Sequence, residues 1–242
     1  MALITAQSLS VDTRLQAASF ELNKTEIIGI IGPNGAGKST LLHVLSGLEP
    51  FTGQLLINDH PFDHLSTNQR AQTIGLLPQE ASTVWSLSVS DVVALGRIPW
   101  NDEDREIISQ AMHLTGTQDL SDRKIDTLSG GERARVWLAR VLAGKPQILL
   151  ADEPIASLDI HYQLAVMGIL KRYAQQGHAV MVAIHDLSLA ARYCDRICLM
   201  KAGKIVALGS IEQVLTEDLL SSAFNVSVQI DLQRSPPIVL PH

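Results

Sequence analysis

The sequence predicts an α/β fold in which a mixed sheet carries an N-terminal antiparallel part and an inserted all-helical segment. Three observations predict it. Short apolar runs of strand type alternate with segments of helical apolar spacing on both sides of the chain's middle. A glycine-rich turn, residues 32–37, is set between a β-branched run and a helix-like segment. Between residues 84 and 146 no strand pattern occurs, and helices follow one another instead. With 242 residues, 46% of them hydrophobic and 4% aromatic, the chain has the apolar material for one large core plus a small inserted unit.

Residues 3–9, 17–22 and 27–31 read as strands separated by polar turns, and residues 41–48 as a helix closed by Gly47 and Pro50. Residues 53–58 form another strand, Ser66 caps a short helix over 67–71, and 74–77 is a strand ended by Pro78. The insertion holds helices at 89–95, capped by Ser88, at 102–114, with acidic residues in its first turn, and at 129–143. Alternation then returns: strand 148–151, helix 161–176, strand 179–184, helix 187–193, and strands 196–200 and 204–208 joined by a tight turn at Ala202-Gly203. Residues 210–223 read as one helix, 226–232 as an edge strand, and 233–242, with Pro236-Pro237 and Pro241, as an extended tail.

The turn itself is chemically informative. Gly32 to Thr40 fits G-x-x-x-x-G-K-[ST] in the one context that gives this spacing meaning, after a buried strand and before a helix. Glycines let successive N–H groups face a phosphate while the following helix aims its positive end at the same point. Lys38 adds a full charge for β- and γ-phosphates, and Ser39 offers a hydroxyl to Mg²⁺, a cation that keeps most of its waters. The chain is therefore expected to bind a nucleoside triphosphate on a P-loop NTPase core.

Hydrolysis needs more than a cradle. The run Ile148 to Ala151 ends in Asp152, at the C-terminal end of a buried parallel strand where ligand crevices of open sheets lie, so Asp152 is expected to reach Mg²⁺. Glu153 follows and is read as the group that polarises the attacking water. His185 ends the strand 180–184 and emerges beside Glu153 if those two strands are neighbours; Gln79, after Pro78, has an amide for Mg²⁺ or the water. Leu128-Ser129-Gly130-Gly131-Glu132 opens a helix, a second N-terminus prepared for phosphate. Two such helix ends separated by about ninety residues are unlike one small site within a chain, whereas two chains could bring them together.

Composition excludes several classes. A net charge of -6 with 19 scattered basic residues argues against a polyanion partner, so no nucleic acid is expected. No charge-free window of 18 apolar residues is present, and the N-terminus lacks a signal-peptide pattern. Cys194 and Cys198 lack companions at metal spacing and read as buried thiols. No guanine-reading N-K-x-D occurs, against a GTP switch.

Taken together, residues 3–232 resemble the ATP-binding subunits of ABC transporters. Gly32 to Thr40, with Asn34, Gly35, Gly37, Lys38, Ser39 and Thr40, is similar to their Walker A motif, Gln79 to the Q-loop, Leu128 to Glu132 to the signature, Ile148 to Glu153 to Walker B with the catalytic glutamate, Ser157-Leu158-Asp159 to the D-loop, and His185 to the switch histidine. The resemblance implies an ATPase using ATP and Mg²⁺, with Glu153, His185 and Gln79 catalytic and Ser39, Gln79 and Asp152 serving the metal. It implies a homodimer sandwiching two ATP, in which Ser129, Gly130, Gly131 and Asp159 serve the partner's nucleotide. It further implies transmembrane permease subunits contacted through about residues 79–100, with Trp85, Leu87 and Val89 as apolar lining or as the insertion's own core, a periplasmic binding protein reached indirectly, and a place on the cytoplasmic face of a bacterial inner membrane.

Val93 to Pro99 is similar to the V-x-x-G-R-x-P pattern of iron-chelate, haem and vitamin B12 importers; the start at residues 10–15 is most like the vitamin B12 branch, with ferric siderophore or haem as alternatives. A non-transport relative acting on nucleic acid or ribosomes usually carries long coiled-coil insertions or tandem domains, and this chain carries neither. Two departures stand out. Glu132 replaces the commoner Gln, and no aromatic precedes the P-loop to stack on adenine, leaving Val11 or Arg14 for that contact and implying modest ATP affinity.

Overall fold

The structure, a computed structural model, describes residues 1–79, 86–156 and 158–241. At the N-terminus β1 (Ala2–Val11) and β2 (Leu15–Asn23) pair antiparallel. β3 (Glu26–Ile31) leads through the glycine turn into α1 (Lys38–Ser46), and β4 (Thr52–Ile57) returns to pair antiparallel with β1, followed by the short β5 (His60–Pro61). α2 (Thr67–Thr73), capped by Ser66, runs directly into β6 (Ile74–Leu77).

The described residues of the insertion hold helices joined by short turns and one isolated bridge between Ser88 and Lys124: α3 (Val89–Ala94), a 3₁₀ turn over Leu95–Trp100, α4 (Arg105–Thr115), two further 3₁₀ turns, and α5 (Gly130–Ala143). Asp104 caps α4 by accepting from Glu106 N and Ile107 N, so the helix starts three residues later than its acidic content predicts. The sheet resumes with β7 (Ile148–Asp152), α6 (Ile160–Gln175), β8 (Ala179–Ala183), α7 (Leu187–Tyr193), β9 (Arg196–Lys201) and β10 (Lys204–Ser210). α8 (Ile211–Val214), α9 (Glu217–Phe224), β11 (Val228–Asp231) and β12 (Ile238–Pro241) complete the chain.

The six-stranded sheet has the order β10-β9-β3-β8-β7-β6, parallel except for β10, and the four-stranded sheet the order β2-β1-β4-β5. Period-2 alternation divides the central strands between two cores. Ile27, Ile31, Leu149, Ala151, Val180 and Val182 face α6, α7 and the helical insertion; Ile28, Ile30, Ile148, Leu150, Met181 and Ala183 face α1 and the antiparallel sheet. Burial on both faces explains why these strands read as unbroken apolar runs.

Two expectations are corrected, and one alternative is decided. Residues 210–223 are two helices, because Thr216 accepts from Leu219 N and starts a new one. The expected tail, 233–242, turns back: β12 pairs antiparallel with β11, and Val228 and Val239 are buried. Of the two places left open for Val89, the core is the one observed: it is fully buried in the apolar cluster that joins the insertion to the sheet, and Leu87 packs against that cluster; Trp85 falls outside the described residues.

A candidate nucleotide site

Strand order assembles the site. β3, β8, β7 and β6 lie side by side and parallel, so the chain leaving each C-terminal end arrives at one sheet edge. The glycine turn leaves β3 and His185 leaves β8, while Asp152 and Glu153 end β7 and Gln79 follows β6. Register makes this local: Asp152 pairs with Ala183, and Ala151 with Leu77, placing Glu153 between His185 and Gln79.

The glycine turn wraps the start of α1. Gly37 is its N-cap at φ 101, a left-handed conformation that L side chains avoid, and a Cβ there would lie 2.6 Å from the Arg14 carbonyl oxygen. Lys38 is the first helical residue and is 5% exposed. Its Nζ donates to Gly32 O at 2.9 Å and Pro33 O at 3.4 Å, with Glu153 Oε1 4.0 Å away. Burial pulls the ammonium below the usual lysine range, and the charges of Glu153 and Asp152 pull it back up. Ser39 and Thr40 are half-buried beside it; Asn34 and Gly35 are exposed at the lip.

Glu153 is the hub. Gln79 Nε2 donates to its Oε2 at 2.9 Å, and His185 Nε2 lies 2.5 Å from its Oε1. Its backbone sits at φ 49, a left-handed conformation that costs a non-glycine residue about 1–3 kcal/mol and that clusters at working sites. Lys38, Ser39, Thr40, Gln79, Glu153 and His185 line one open cleft of about 480 Å³, with Asn34, Gly35, Gly37 and Arg14 at its wall. Of the two residues expected to meet a base, Arg14, bonded to Glu49 Oε1 at 2.6 Å, lines the cleft and Val11 is buried.

Asp152 is 2% exposed, and its Oδ1 has no hydrogen-bond partner. A buried carboxylate oxygen left unsatisfied asks for a cation, and Mg²⁺ accepts one or two carboxylates with oxygen ligands for the rest. The residues present fit that ion, with the Ser39 hydroxyl offered from the first turn of α1, after β3 at the same sheet edge.

Ser129, Gly130 and Asp159 are exposed, and Ser129, Gly131 and Asp159 do not line the Lys38 cleft. Gly130 lines a neighbouring cleft shared with Gln79 and Glu153. Ser129 and Glu132 form a capping box, Glu132 N donating to Ser129 Oγ and Ser129 N to Glu132 Oε2, which holds the Glu132 carboxyl below its usual range. Either Glu or Gln satisfies that geometry. Asp159 caps α6 through Tyr162 N; Ser157 falls outside the described residues. The sequence reading missed Tyr162, whose ring packs so closely on Gly131 that a Cβ there would lie 2.6 Å from it. No local pattern signals that contact, because it joins two helices thirty residues apart.

A family model described as ABC transporter matches residues 15–156. The Hemin import ATP-binding protein HmuV of Thermobifida fusca is 40% identical over 245 residues, covering 98% of this chain and 86% of its own. That of Pseudomonas aeruginosa is 41% identical over 233 residues, covering 93% and 91%. Among solved structures, an inward-facing transporter described as of the metal-chelate type aligns at TM-score 0.87 and 25% identity, covering 100% of this chain and 98% of the other. A dimeric bacterial ABC transporter cassette aligns at TM-score 0.77 and 26% identity, covering 86% and 98%. With its whole fold and nearly its whole sequence matched in this way, the chain belongs to the ABC transporter family, as an ATP-binding subunit that hydrolyses ATP.

Proposed function

We propose that this chain powers import of haem, or of a closely related iron chelate, through a separate membrane permease. The observation that carries the cargo is the 40% identity, over 98% of the chain, to a protein named for hemin import. Vitamin B12, the cargo favoured by residues 10–15, has less support, and ferric siderophore stands between the two.

The chemistry follows from the cleft. Lys38 draws the β- and γ-phosphates to the α1 N-terminus, and their charge favours its ammonium form against the effect of burial. Ser39 and Asp152, with the Gln79 amide, would hold Mg²⁺, which when bound neutralises charge on the phosphate oxygens. Glu153 takes the proton of a water aligned for in-line attack on the γ-phosphorus, and Gln79 orients both. His185 donates from its ring to Glu153 and, with nucleotide present, to the γ-phosphate.

Ser129, Gly130, Gly131 and Asp159 serve the nucleotide of a second copy, which the position of all four outside the Lys38 cleft, and the exposure of Ser129, Gly130 and Asp159, support. Residues 79–100 receive the permease; Ile98 at 67% and Trp100 at 40% exposure supply apolar contact in place of the buried Val89. A periplasmic binding protein acts at the far side, and this chain sits at the inner face of the membrane; no helix among the described residues is long and apolar enough to cross it.

No side chain here meets the cargo, so the test is genetic. Deletion should abolish haem uptake, restored by the wild-type gene and not by Glu153→Gln. Loss of cobalamin uptake with haem uptake intact would overturn the cargo.

A further inference from the structure

α7 begins two residues after His185 and is too short to hold itself. Its seven residues make about two turns, well below the length at which an isolated helix persists, and Ala190 is the single fully buried residue in it. Its position depends on ties at both ends. After its C-terminus Asp195 is fastened to β3: Oδ2 accepts from Ile27 N at 2.9 Å and Asp195 N donates to Ile27 O at 2.8 Å.

At the other end Asp186 caps the helix, its Oδ1 accepting from Leu189 N at 2.8 Å, and the tie to the rest of the chain is the C-terminal hairpin. Ser188 Oγ accepts from Val239 N at 2.9 Å and donates to Val239 O at 3.3 Å, so both backbone groups of one β12 residue engage one hydroxyl in the first turn of α7. The buried side chains of Val228 and Val239 share an apolar cluster with Leu187, Leu189 and Tyr193, pressing the hairpin along the helix. His185 needs such support. Its side chain is 47% exposed, and among the described residues its ring has one hydrogen-bond partner, Glu153. Where the ring points is thus set by the backbone on either side of it.

We propose that hairpin β11–β12 is a strap that positions His185: the Ser188–Val239 pair fixes the first turn of α7, and through it the imidazole against Glu153. Ser188 is then a positioning residue that does not touch nucleotide. The proposal rests on the hydrolytic role given to His185 above.

The test compares full-length wild type, Ser188→Ala, Ser188→Thr, His185→Ala and the His185→Ala/Ser188→Ala pair, measuring kcat and KM for Mg·ATP, melting temperature, and the His185 ring signal by NMR without nucleotide. Ser188→Ala should lower kcat about tenfold, the scale of a small misplacement of a reacting group, and leave KM within about twofold. Threonine, which keeps the hydroxyl, should restore kcat. In the His185→Ala background the second change should add nothing, because the strap acts through the missing ring. An equal loss in both backgrounds, or an unchanged kcat, overturns the strap. Should the alanine variant be unfolded at assay temperature, the ring signal at a lower temperature decides: movement toward free histidine is expected, and an unmoved signal refutes. Wild type without ATPase, or His185→Ala as active as wild type, sinks the role of His185 instead, a result these measurements separate from failure of the strap.

Discussion

Replacing Glu153 by glutamine should move catalysis and binding in opposite directions. The side chain keeps its shape and one carbonyl oxygen, so one of the Gln79 and His185 contacts retains an acceptor while the other faces an NH2 group. What disappears is a base and a charge. Loss of a general base costs about 10²–10⁴-fold in kcat, or about 3–5 kcal/mol of barrier. Loss of the charge works the other way. Glu153 Oε1 lies 4.0 Å from Lys38 Nζ, an attraction of about 4 kcal/mol at an effective dielectric of about 20. A γ-phosphate must compete with that attraction and approach the same carboxylate. If a quarter of the figure reaches the bound state, ATP binds about fivefold tighter in the variant. Single-turnover phosphate release and fluorescence titration with ATP measure the two effects separately. An unchanged kcat would refute the base assignment; a fall in kcat with an equal fall in affinity would show Glu153 to be part of the nucleotide cradle instead.

Two further outcomes are expected. Gly131→Ala sets a Cβ 2.6 Å from the Tyr162 ring and should cost about 1–3 kcal/mol by overpacking, a fall of roughly 2–12 °C in melting temperature for a chain of this size; Tyr162→Ala in the same chain should relieve it, and a melting temperature unmoved by Gly131→Ala would contradict the contact. Cys194 and Cys198 are buried, and burial pushes both thiols up to about 12. Unfolded thiols ionise near about 8.5, so the unfolded state releases protons first and stability contributed below that pH is lost as pH rises toward 12. Melting temperatures between pH 8 and 10.5 should fall less steeply in a Cys194→Ala, Cys198→Ala variant; equal slopes would refute this.

The nucleotide cradle was legible because its chemistry is contiguous: Gly32 to Thr40 is one turn, and Asp152 and Glu153 end one apolar run. Whether His185 and Gln79 join them depends on which strands are neighbours, and only the order β3-β8-β7-β6 answers that. Long-range pairing leaves no local mark. The N-terminal strands extend beyond their apolar runs, β1 from 2 to 11 and β2 from 15 to 23, because left-handed residues Ser8 and Ala17 and shifts in register interrupt the alternation that marks a strand. Thr216 was a readable cap, followed by Glu217 and Asp218 in the first turn of α9, yet the apolar spacing across 210–223 hides it. The hairpin at the C-terminus was obscured by composition: Pro236-Pro237 suits a tail as well as a connection, and only burial of Val228 and Val239 distinguishes them.

The central claim is that each chain carries half of two sites. Sedimentation velocity on Glu153→Gln, with and without Mg·ATP, tests it most directly. The account predicts monomers without nucleotide, dimers with it, and monomers again when Ser129→Arg is added, since Ser129 stands away from the cleft of its own chain. A monomer saturated with ATP, or a dimer indifferent to Ser129→Arg, would contradict it.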